Sequence, residues 1–205
     1  IAMGVRGSDV TREVADIVLL DDNFASIVKA IEEGRRVYDN IKKFTYYLLS
    51  TNLAEILIIF FALIVGLKLK WQTLLPLLPL QILWINLVSD GIIAITISKS
   101  HAEKSIMRRK PEKGAILTPR ALAVLTGIAA YITIIILFFF AKNINNPIKA
   151  QTIAFTSLVV FEMLRVYMVR ADYKLGIFSN KLLIGAVASS LLLQLVVLYS
   201  PLNKF

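Results

Sequence analysis

The chain has 205 residues, of which 57% are hydrophobic, with a formal net charge of +9 and a mean hydropathy of +0.71. Soluble domains hold roughly 45–50% apolar residues, so this composition excludes an ordinary soluble domain and indicates an integral membrane chain. The Lys and Arg residues fall in clusters between apolar runs, which excludes a nucleic-acid stripe, and the lack of cysteine removes disulfides and thiolate metal sites.

Residues 1 to about 43 are the only substantial water-soluble segment. Two short apolar runs, Ile1-Ala2-Met3 and Ile17-Val18-Leu19-Leu20, flank a polar stretch from Gly7 to Ala15, which predicts strand, helix, strand. Gly4 and Gly7 open a turn, and their spacing matches no nucleotide-binding loop. Asp21-Asp22-Asn23 then offers helix-capping chemistry before a periodic run through Ile27, Ile31, Gly34, Tyr38 and Ile41 that continues without Pro into an apolar stretch. One helix from Phe24 to Val65 would be about 60 Å long at 1.5 Å per residue, twice the roughly 30 Å of a bilayer core. Its first part is therefore expected to form a stalk.

Apolar stretches of spanning length follow at about 45–66, 75–97, 120–141, 150–169 and 181–199. Arg35, Arg36, Lys42 and Lys43 precede the first, a dense basic set from Lys99 to Arg120 separates the second from the third, and Arg165, Arg170, Lys174 and Lys181 gather between the fourth and fifth. The positive-inside rule puts the first segment in the cytoplasm and the end at Phe205 on the exoplasmic side. The predicted fold class is mostly α, a multi-pass membrane helix bundle with a small α/β remnant at the N-terminus. The expected organisation is 1–23 as the end of a soluble domain, 24–44 as a stalk helix, 45–199 as a five-helix transport domain and 200–205 as the exoplasmic end. A start at Ile1, with neither initiator methionine nor signal peptide, reads as a piece of a longer protein.

Three carboxylates, Glu55, Asp90 and Glu162, sit near the middle of three of these stretches. Each costs roughly 2.5–3.5 kcal/mol at a bilayer centre on the lenient insertion scale, so a shared task or mutual satisfaction must offset them. Asn52 lies three residues before Glu55, and Asn86 and Ser89 lie four and one before Asp90, so each set shares a helix face or an adjoining position. Counted at 1.5 Å per residue, Glu55 is about 14 Å from one edge while Asp90 and Glu162 are about 20 Å from the other, all near the midplane. Carboxylate, amide and hydroxyl oxygens suit a hard cation such as Ca²⁺, Mn²⁺, Mg²⁺ or Na⁺. Gly91 after Asp90 is a place where the helix could break and free backbone carbonyls for the ion.

The remaining features have plainer readings. His101 is a solvated residue in a basic loop, Trp71 an interfacial anchor, and Trp84 a packing residue beside the site. Arg165 is expected to extend its charge toward the membrane edge without pairing with Glu162.

Taken together, Ile1-Ala2-Met3-Gly4, Ala15-Asp16-Ile17-Val18-Leu19-Leu20-Asp21-Asp22-Asn23-Phe24, Glu32-Glu33-Gly34-Arg35, Asn40-Ile41-Lys42-Lys43-Phe44 and Tyr47-Leu48-Leu49-Ser50-Thr51-Asn52 resemble the end of the phosphorylation domain and the fifth membrane helix of P-type cation ATPases. Gln81 to Gly91 is similar to their sixth helix, Phe161-Glu162-Met163 to part of their eighth, and Ile106-Met107-Arg108-Arg109-Lys110-Pro111 to the basic loop after the sixth. The likeness is strongest to calcium pumps of the sarcoplasmic-reticulum kind. It implies Asn52, Glu55, Asn86, Ser89, Asp90 and Glu162 as cation ligands, Asp90 bridging if two ions bind. Asn86, where sodium/potassium pumps carry Asp, favours a calcium-like site. The resemblance further implies an ATP-driven pump exporting Ca²⁺ from the cytoplasm in exchange for H⁺. ATP and Mg²⁺ would be bound by N-terminal domains of the same chain upstream of Ile1, and the partners would be the transported cation and the lipid bilayer. No catalytic or cofactor-binding residue is assigned within these residues. The alternatives are a pump for Mn²⁺, Na⁺ or Na⁺/K⁺, an ion-coupled secondary transporter, or a membrane scaffold.

Overall fold

The computed structural model describes residues 1–66, 68–69, 72–100, 102–103, 105–110, 116–173, 175–176 and 178–199. The expectations for Trp71, His101, Pro111 and the 200–205 end lie outside the described residues. The chain divides into two compact units, one from the described parts of Ile1–Asp39 and His101–Glu112, the other from those of Asn40–Ser100 and Lys113–Phe205.

In the first unit β1 (Ala2–Met3) pairs in parallel with β2 (Val18–Leu19), Ala2 opposite Val18, and the short helix α1 (Asp9–Glu13) lies between them in sequence. Parallel strands cannot be joined by a tight hairpin, so the polar stretch serves as the crossover. Ser8 caps α1, its Oγ accepting from the Thr11 N–H at 3.3 Å. Gly4 and Gly7 are confined by backbone: a Cβ would meet the Leu19 carbonyl oxygen at 2.6 Å and the Met3 carbonyl oxygen at 2.0 Å respectively. Their role is steric.

Asp22 adopts a left-handed backbone, φ 50°, which Asp tolerates better than most residues. Its carboxylate accepts from the Val5 N–H at 3.0 Å and the Arg6 N–H at 2.8 Å, tying the strand ends together. The Val5 N–H is the main cause holding this carboxyl below its ordinary value. A depressed folded value means that the tie is complete above the ordinary carboxylate range and is lost as pH falls through the depressed value. The Val5 and Arg6 amide resonances are therefore expected to shift together in an acid titration, and in Asp22→Asn to lose that pH dependence.

The long helix α2 runs unbroken from Phe24 to Val65, with Asn23 Oδ1 accepting from the Ala25 N–H at its start. Within the first unit its Arg35 donates to the carbonyl oxygens of Ile106 and Arg109 at 2.8 and 2.7 Å, and Asp39 pairs with Arg109 at 2.7 Å. The basic segment after the second span is thus held on the stalk portion by backbone as well as charge.

In the second unit the rest of α2 is followed by an antiparallel pair, β3 (Lys68–Leu69) and β4 (Gln72–Thr73). The next span is built from α3 (Pro79–Trp84), a π-helical turn (Ile85–Ser89) and α4 (Asp90–Ser98). Then come α5 (Pro119–Lys142), α6 (Pro147–Asp172) and α7 (Lys181–Tyr199). Pro79, Pro119 and Pro147 each occupy a first turn, where a missing N–H costs nothing. Among the described residues five helices are long and apolar enough to cross a membrane, and only 28–50% of each apolar window is buried within the chain. Ile56, Phe60, Leu87, Ile134, Phe138 and Leu192 are among the large apolar side chains left outside, as lipid solvation permits. Ile58, Ile85, Ile93, Ile136, Phe155 and Leu158 form the inner core.

The C-terminus of α4 is closed by amides from two neighbours. Asn40 Nδ2 donates to the Ser98 and Ser100 carbonyl oxygens, both at 2.9 Å, and Asn180 Nδ2 to that of Thr96 at 3.1 Å. Lys43 joins the same layer, donating to Asn40 Oδ1 at 3.1 Å with its ammonium 4.6 Å from the Tyr173 ring centre. Orphan helix carbonyls buried without donors are costly. Asn40→Ala is expected to destabilise the protein by about 1–3 kcal/mol, read as a lowered unfolding midpoint in detergent.

Candidate cation site

Three helices bring the polar residues together. On α2, Tyr47, Thr51 and Glu55 are spaced by four and lie on one stripe, all three buried. Asn52, half-buried, precedes Glu55 by one turn. The second span contributes Asn86 and Ser89 from its π turn and Asp90 at the first position of α4. Glu162 stands in the middle of α6 on its buried face, fully enclosed.

The expected break at Gly91 is not where the span departs from α geometry. Asp90 and Gly91 continue into α4, and the irregularity comes just before, where the Asp90 N–H bonds the Ile85 carbonyl oxygen five residues back. A π turn inserts one residue into the helix and commonly marks a functional position. Its effect here is to re-aim Asn86 and Ser89 relative to Asp90, a rearrangement that needs no glycine.

Asn86 Nδ2 donates to Glu55 Oε2 at 2.8 Å and to the Ile82 carbonyl oxygen at 3.0 Å, so α2 and the second span are joined directly at two ligand candidates. Tyr47 donates its hydroxyl to Asp90 Oδ1 at 2.5 Å. Glu162 lies within electrostatic reach of both Asp90 and Glu55. Among the described residues no three acidic or histidine side chains stand close enough to hold a metal by themselves. Asn86 and Tyr47 thus link α2 to the second span at Glu55 and at Asp90, while no hydrogen bond among the described residues ties Glu162 to either.

Among the described residues, Glu55 Oε1, Asp90 Oδ2 and both oxygens of Glu162 are buried with no hydrogen-bond donor. Buried carboxylate oxygens without donors carry the full penalty of lost hydration. Protons or a hard cation would satisfy them, and the all-oxygen donor set fits a cation of the calcium class.

Two participants were not foreseen. Tyr47, fully buried, belongs to the stripe of Thr51 and Glu55, and that four-residue spacing was the available signal. Arg165 corrects an expectation: instead of reaching the membrane edge it is 4% exposed, and its Nε donates to Ser50 Oγ on α2 at 2.9 Å. Its position three residues after Glu162 puts it on the same inward face, which outweighs the reach of its stem. Trp84 packs against the core as expected of it.

Comparison with known proteins adds a lineage. The family described as "Cation transporting ATPase, C-terminus" matches residues 74–205. A protein named calcium-transporting ATPase from Bacillus subtilis (strain 168) is 42% identical over 212 residues, covering 98% of this chain and 23% of that protein. Calcium-transporting ATPase 1 of Bacillus cereus is 33% identical over 98% of this chain and 25% of its own length. Calcium-transporting ATPase type 2C member 1 of Homo sapiens is 33% identical over 98% and 22%. The chain therefore spans about a quarter of the length of these relatives. By its sequence and its five membrane-compatible helices, this chain belongs to the cation-transporting ATPase family, matching its C-terminal membrane region.

Proposed function

We propose that this chain is the ion-carrying part of an ATP-hydrolysing pump that moves Ca²⁺ out of the cytoplasm, with Asn52, Glu55, Asn86, Ser89, Asp90 and Glu162 as ligands. The observation that carries the reading is the set of four buried carboxylate oxygens on three helices that find no donor among the described residues. The names of the relatives support calcium as the ion. ATP and Mg²⁺ belong to other segments of the intact pump, and residues 1–23 here are assigned to the end of its phosphorylation domain.

Asn86 and Tyr47 hold Glu55 and Asp90 in place before the ion arrives, so less ordering remains to be done on binding. Entry of Ca²⁺ would draw in the donorless oxygens at about 2.3–2.6 Å, a distance that neutral bridging groups must yield to. Because α2 is one helix from Phe24 to Val65, displacement of its N-terminal portion would move Glu55 and Asn52 against Asn86 and Asp90. Moving half the ligands by a few Å lowers affinity and changes the side of access, which is transport by differential binding to two states. Once emptied, the carboxylates would take up protons, since a charged donorless carboxylate at mid-membrane is the costlier state. That makes H⁺ the counter-ion. The orientation that follows places Ile1 in the cytoplasm and the end of α7 on the exoplasmic side.

The test is the metal dependence of ATPase activity in the intact pump. Activation by micromolar Ca²⁺, with no activation by Na⁺ or K⁺, is the expected result, and activation by the monovalent ions alone would overturn the assignment.

A further inference from the structure

We propose that Arg165 is a positioning residue for the cation site, acting through Ser50 to set the spacing of α2 and α6; this rests on the ligand assignment above. Arg165 is buried inside the helix bundle, where an arginine is ordinarily matched to a carboxylate through its two-pronged fork. Among the described residues it forms no ion pair, and its Nε goes to one neutral hydroxyl on another helix. That hydroxyl is prepared for it. Ser50 directs its own hydrogen at the Tyr46 and Tyr47 carbonyl oxygens, at 2.8 and 2.9 Å, which leaves oxygen lone pairs free to accept from Arg165 at 2.9 Å.

The bond's location gives it consequence. On α6 it lies one turn from Glu162, and on α2 it falls two residues before Asn52 and three after Tyr47, the donor to Asp90. It is therefore a direct tie between the helix that carries Glu162 and the one that carries Glu55, next to both. A calcium cage tolerates only a few tenths of an ångström in its oxygen distances. Removing the tie leaves every ligand in the chain but loosens the relative placement of two of them, so affinity falls while the ligand set survives.

Ca²⁺ dependence of ATPase activity in the intact pump tests this with Ser50→Ala, Arg165→Gln, Arg165→Lys and the Ser50→Ala/Arg165→Gln double variant, with Glu55→Gln alongside. Ser50→Ala is expected to raise the half-activating Ca²⁺ concentration about five- to tenfold, with the maximal rate kept within about twofold. The double variant should be no worse than Arg165→Gln, because both remove one bond, and Arg165→Lys should recover part of the loss. A wild-type Ca²⁺ dependence in Ser50→Ala, or fold-changes that multiply in the double variant, would overturn the proposal. Should Arg165→Gln fail to fold, the Ser50→Ala result decides alone. Full Ca²⁺ activation of Glu55→Gln would instead overturn the ligand assignment, so the two failures are told apart.

Discussion

Glu55→Gln in the intact pump is expected to lower ATP-driven Ca²⁺ uptake into vesicles by at least about a hundredfold at micromolar Ca²⁺. The amide preserves the shape of the side chain but removes an anionic oxygen from the face that meets Asn86 and, through it, the second span. Removing one member of a buried charge interaction costs about 3–5 kcal/mol, and every 1.4 kcal/mol is tenfold in affinity. Uptake retained within a few-fold of wild type would show that Glu55 does not touch the ion.

Glu162→Leu should change stability and binding in opposite directions. Both carboxylate oxygens of Glu162 are enclosed without donors among the described residues, so in Ca²⁺-free conditions the residue is a burden that an apolar side chain of similar bulk relieves, by about 1–3 kcal/mol. The unfolding midpoint of the variant in a calcium chelator is therefore expected to rise. A ligand that binds only the folded state stabilises it in proportion to the logarithm of its concentration over Kd, and this increment should shrink sharply in the variant. Thermal unfolding with and without Ca²⁺ reads both effects at once. A fall in the chelator midpoint would mean that Glu162 is structurally satisfied, contrary to its role as a ligand kept ready for an ion.

The helical spans were legible because apolar runs of spanning length are separated by polar and basic segments, and Asp21-Asp22-Asn23 stands ahead of the stalk. The α/β remnant was legible for a related reason, since two apolar runs around a polar stretch leave few other options. The carboxylates stood out because the bilayer makes such residues rare. What stayed hidden depends on distances between helices. The π turn arises from five consecutive ordinary residues, Ile85 to Ser89, with no glycine or proline to mark it. Arg165 could have reached the membrane edge as easily as Ser50, and only the position of α2 beside α6 decides. Asn40 and Asn180 carry no signal that both serve one helix end, because capping across helices is a property of the packed bundle.

Equilibrium binding of radiolabelled Ca²⁺ to the purified intact pump, without ATP, tests the central claim most directly. The account predicts saturable binding that Glu55→Gln, Asp90→Asn and Glu162→Gln each weaken at least tenfold, while Trp84→Phe, a change in packing beside the site, leaves it within about twofold. Binding of wild-type strength in all three carboxylate variants would contradict it.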